Sequence, residues 1–73
     1  MSIALTALVL IRLDARLGEW VSVADLARAM RLSEDAIRTH LDYMVDGLHA
    51  GFRLQREDGV IVAAQVARER EAA

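Results

Sequence analysis

Val23-Ala24-Asp25-Leu26-Ala27-Arg28-Ala29-Met30-Arg31-Leu32-Ser33, followed by Ile37, His40 and Leu41, reads as two helices joined by a very short turn. Ser22 stands just before the first helix, with Asp25 three positions later, the spacing of a capping box with a shorter acid than the usual glutamate. Val23, Leu26, Ala27 and Met30 recur at helical spacing and form one buried face. Arg31-Leu32 leaves room only for a tight turn, with Leu32 as an apolar plug. Ser33 caps the next helix, which runs to about Asp46 with Ile37, Leu41, Met44, Val45 and Leu48 on one face. Gly47 or Gly51 ends it.

Upstream, Ser2 to Leu17 reads as a first helix with Gly18 as its C-terminal cap. Ile3 to Ile11 is apolar nearly all round, broken only by Thr6. A surface helix should carry one apolar stripe and one polar face. Burial on two sides is therefore expected, one against the domain core and one against a second copy. The alternative is a helix buried within one domain, which so short a chain has little mass to cover. Glu19 to Val23 is a connection, with a brief strand at Val21 to Val23 and Trp20 packed at a corner.

Downstream, Phe52–Leu54 and Val60–Val62 alternate like two short strands around Gln55-Arg56-Glu57-Asp58-Gly59. Asp-Gly is a strong hairpin signal. From Ala63 the chain turns rich in alanine and charge, and a short helix fraying towards Ala73 is expected.

Seventy-three residues make one domain, 1–73. Such a chain buries only about 60% of its unfolded surface, so an added staple is expected. Disulfides are excluded by the absence of cysteine, which fits a reducing compartment. No metal or other cofactor is expected, because the only histidines, His40 and His49, lack the spacing of a metal site. A partner chain remains. The apolar start is too short to span a bilayer and lacks the basic start and cleavage site of a secretory signal, so a cytoplasmic chain with no membrane partner is expected. All nine basic residues are arginine, yet the formal net charge is -2. No nucleophile–base pair or phosphate-cradling glycine loop is visible, and the chain is too short to enclose an ordinary substrate pocket, so no enzyme is expected.

The order of elements and residues 23–41 resemble the helix-turn-helix of bacterial winged helix-turn-helix transcriptional regulators of the small stand-alone type. Ala27 stands where two helices cross in that pattern, Ser33 begins the recognition helix, Ile37 locks it, and His40-Leu41 follows. The resemblance covers roughly residues 19–62. It implies a mainly α fold, a three-helix bundle plus a β-hairpin wing and a short C-terminal helix, with residues 1–18 available for dimerisation and 63–73 as a tail. It also implies a homodimer on double-stranded DNA, the third helix in the major groove and the hairpin on the backbone. Arg38, Thr39, Asp35, Asp42 and Tyr43 are then the candidates for base contacts. Arg28, Arg31, Ser33, His40, Arg53 and Arg56 are the candidates for phosphate contacts. His40 is expected at the edge of that helix, where it bonds either a phosphate or, in a structural role, a backbone group.

The outward stripe of the third helix departs from the family pattern. It carries Asp35, Asp42 and Asp46, with Glu34 beside them, where serine, threonine, arginine or glutamine is usual. Glu34 and Asp35 favour the helix dipole in the first turn. Asp42 has no such role; it either accepts from a cytosine amino group or repels the backbone. A second function therefore stands beside the first: an interaction module that binds a protein partner through this acidic face.

Overall fold

The computed structural model describes residues 3–44 and 51–67. Helix α1, Ile3–Asp14, puts Val9 and Leu13 fully inside, with Leu5 and Leu10 half-buried against the same core. Its opposite side leaves Leu8 51% and Ile11 60% exposed. The helix stops short of the expected Leu17. Arg16 donates to Leu13 O, tightening the last turn, and the chain leaves through turns. Gly18 is a tie to the sheet rather than a cap for α1. At φ +85°, open to glycine, it donates its N–H to Val66 O, and its carbonyl accepts from the Gln65 side chain.

Helices α2, Val23–Met30, and α3, Glu34–Met44, form as their signals predict. Ser22 Oγ accepts from Asp25 N at 3.0 Å, and Ser33 Oγ accepts from Ala36 N at 3.1 Å, so each helix begins on a side-chain cap. Between them Arg31 takes the left-handed conformation at φ 58°, and the amides of Arg31 and Leu32 both bond Ala27 O. Leu32 is not a plug: it is 38% exposed. Val45, Asp46, Gly47, Leu48 and His49 lie outside the described residues, as do Ser2 and residues 68–73. So do the expected C-terminal half-turn of α3 and the end of the tail.

The largest departure is in the β structure. Strands β1 (Val21–Ser22), β2 (Phe52–Glu57) and β3 (Val60–Val66) form one antiparallel sheet in the order β1-β3-β2. The expected helix from Ala63 is absent in the described part of the tail, because Ala63–Val66 continue β3. Ala63 and Ala64 pair there with Ser22 and Val21 on one side and with Gln55 and Leu54 on the other. β3 is thus paired on both edges, and Ala64 is fully buried. Helix propensity thus gives way to pairing. The fold is mixed, three helices with a three-stranded sheet, rather than mainly α with a small hairpin. The hairpin turn shortens to Asp58-Gly59, both at positive φ, the geometry that matches strand twist.

All three helices converge on β3. The core comprises Val9 and Leu13 of α1, Val21 of β1, Val23, Leu26 and Ala27 of α2, Ile37, Leu41 and Met44 of α3, and Ile61, Ala64 and Val66 of β3. Trp20 stands apart from it, 44% exposed, contrary to its expected packing at a corner.

Candidate functional site

Helix α3 divides its surface by its 3.6-residue period. Ile37, His40, Leu41 and Met44 are buried, while Asp35, Thr39, Asp42 and Tyr43 face out, Tyr43 54% exposed. The hairpin stands beside this outer face. Strand alternation turns Leu54 and Arg56 of β2 towards the helices, and Arg56 Nη2 reaches Asp42 Oδ1 at 3.1 Å. Between them lies a cleft of about 320 Å³, bounded by Arg38, Thr39 and Asp42 of α3 and by Arg56, Val60 and Ile61 of the hairpin.

Arg38 crosses from α3 to the sheet. Its Nε donates to Ile61 O at 3.0 Å, while its other nitrogens reach Glu34 at 3.1 Å and Asp35 at 3.4 Å. The guanidinium thus spends its planar fork within the fold, tying the helix to β3. The pairing with Glu34 was legible as an i,i+4 contact, but the bond to a strand carbonyl was not. Asp35 keeps 97% of its side chain exposed despite that contact.

The remaining expected contacts are scattered. Arg28 Nη2 holds Asp25 Oδ1 at 2.6 Å, and Asp25 also faces Arg16 at 3.7 Å. Ser33 uses its oxygen as the cap of α3. Arg31, at the turn, has no ion-pair partner among the described residues. Arg53 is exposed on the face of β2 opposite to Arg56, so the two cannot meet one phosphate.

His40 lies inside the fold rather than at a helix edge. It is 3% exposed, and its Nε2 is hydrogen-bonded to Thr6 Oγ1 of α1 at 2.9 Å. Burial holds its pKa below the ordinary 6.5. Of its two expected roles the structural one is the one this placement serves: it satisfies a polar ring against α1 where a phosphate has no access. Thr6, the one polar residue in the apolar run, was the only hint of this partner in the sequence.

Among the described residues, no helix is long and apolar enough to cross a membrane, and no cluster of three or more His, Cys, Asp or Glu is arranged for a metal ion. No protein-family model, curated protein or solved structure matches this chain.

Proposed function

We propose that the chain is a winged helix that binds duplex DNA as a homodimer, with α3 in the major groove and the β2–β3 hairpin as the wing. The observation that carries this reading is the position of the hairpin. It flanks the outward face of α3, with Arg56 on the same side as Thr39 and Asp42. Thr39 and Tyr43 then approach base edges, and Asp42 selects a cytosine amino group. Arg31 meets a phosphate directly, and Arg56 does so by exchanging Asp42 for it. The partner copy docks on the outer stripe of α1, where Leu8 and Ile11 are exposed.

A second reading, a protein-binding module, is favoured by one specific observation. Arg28, Arg38 and Arg56 each hold an acidic side chain already, and Asp35 is almost fully exposed. That leaves a mixed surface rather than a basic one.

Titration of the protein with random duplex DNA across a salt series separates the two. A steep fall in affinity with salt, with a slope of several released counterions, supports the DNA reading. Absence of binding at low salt defeats it. Asp42→Lys sharpens the result, since a DNA binder gains non-specific affinity from it and a module that uses its acidic face loses its partner.

A further inference from the structure

The sheet has two edges, and they differ. β1 is only two residues long. β2 is six residues long, and β3 is its only neighbour among the described residues. Its outer edge therefore carries a row of backbone donors and acceptors with no strand to receive them, which is a template for another strand.

The side chains along that edge are self-complementary. The register shift between Gln55 and Arg56 skips Val62 of β3, so β2 keeps its alternation across it and residues 53, 55 and 57 share one face. They are Arg53, Gln55 and Glu57, all exposed. Neither Arg53 nor Glu57 has an ion-pair partner among the described residues. Charge on an edge usually guards against pairing. Here the two charges are opposite in sign and symmetric about Gln55. When two such strands meet antiparallel about that residue, Arg53 of each copy stands opposite Glu57 of the other, and Gln55 meets itself. Every other register loses at least one of these matches, and a parallel arrangement sets arginine against arginine.

We propose that the outer edge of β2 pairs antiparallel with the same edge of a second copy, centred on Gln55, joining two three-stranded sheets into one continuous sheet. This surface is separate from the outer stripe of α1 and from the outward face of α3. It does not depend on DNA binding. It is an isologous surface, distinct from the one proposed on α1.

The test uses the full chain carrying Ile11→Asp, which breaks the α1 stripe at an exposed position, and sedimentation equilibrium as the readout. This chain should still dimerise. Adding Arg53→Glu or Glu57→Arg alone should weaken the dimer on the order of tenfold, because two complementary contacts become two repulsive ones. Combining both reversals should restore it. A chain that stays monomeric with Ile11→Asp alone overturns the inference, as does a double reversal no better than the singles. Gln55→Cys gives an independent check, since the chain has no other cysteine. Air oxidation should cross-link it faster than Ala24→Cys, an exposed position on α2. Equal rates would also overturn the inference. DNA titration of the same variants reports separately on the proposed function.

Discussion

Helices α1 and α3 sit against the same core and leave opposite chemistries outside it. α1 exposes Leu8 and Ile11, whereas α3 exposes Asp35, Thr39, Asp42 and Tyr43. Their inner faces are alike: Val9 and Leu13 in one and Ile37 and Leu41 in the other are all fully buried. Burial against the core therefore explains one face of each helix and says nothing of the other. The outer face of α1 suits an apolar partner, and that of α3 suits a polar one. The Thr6–His40 bond is a polar link between the two helices.

The comparison can be broken by exchanging inside for outside. Leu41→Ala should cost about 2–5 kcal/mol, because it removes a fully buried side chain from a packed site. Ile11→Ala should change monomer stability by no more than about 0.5 kcal/mol. Urea unfolding measures both, and similar losses would mean that α1 has no free face.

A smaller effect should come from pH. The folded pKa of His40 lies below the unfolded 6.5, so above that value the ring is neutral in both states and stability is at its full value. Below it the unfolded ring takes up a proton that the folded ring resists. Stability should then fall as pH drops from 6.5 and level off beneath the folded pKa. His40→Gln should flatten this part of the profile, and an unchanged slope would remove His40 as its source.

The smallest effect on the fold, and the sharpest on the outer face of α3, should come from Asp42→Asn. The Asp42–Arg56 pair is exposed, so its loss should cost less than about 1 kcal/mol in unfolding measurements. Release of Arg56 should raise DNA affinity and steepen the salt dependence by about one counterion. An unchanged slope would mean that Arg56 does not reach a phosphate.

Much of the fold was legible because it rests on local chemistry. Ser22 and Ser33 cap helices where they stand in the chain, and the Asp58-Gly59 turn follows from the backbone freedom of those residues. The interior stripe of α3 was readable from its period as far as Met44. Ala63–Val66 misled because alanine favours helices locally, whereas β2 across the hairpin and β1 far back in the chain claim Ala63 and Ala64 from both sides. Trp20 misled for the converse reason: its size predicts burial, but no element folds over it far enough to cover it.

The candidate site was legible as a set of residues and not as an arrangement. Its arginines were visible, but their engagements were not. Arg38 bonds Ile61 O across a separation of 23 residues, and Arg56 meets Asp42 across 14. By itself the sequence determined where α2 and α3 start and which face of each is apolar. The tertiary structure alone decided which arginines already hold an acid, that His40 turns inward to Thr6, and that β2 has β3 as its only neighbouring strand among the described residues. Caps, turns and periodicity act over a few residues, whereas pairing and burial depend on groups that only folding brings together.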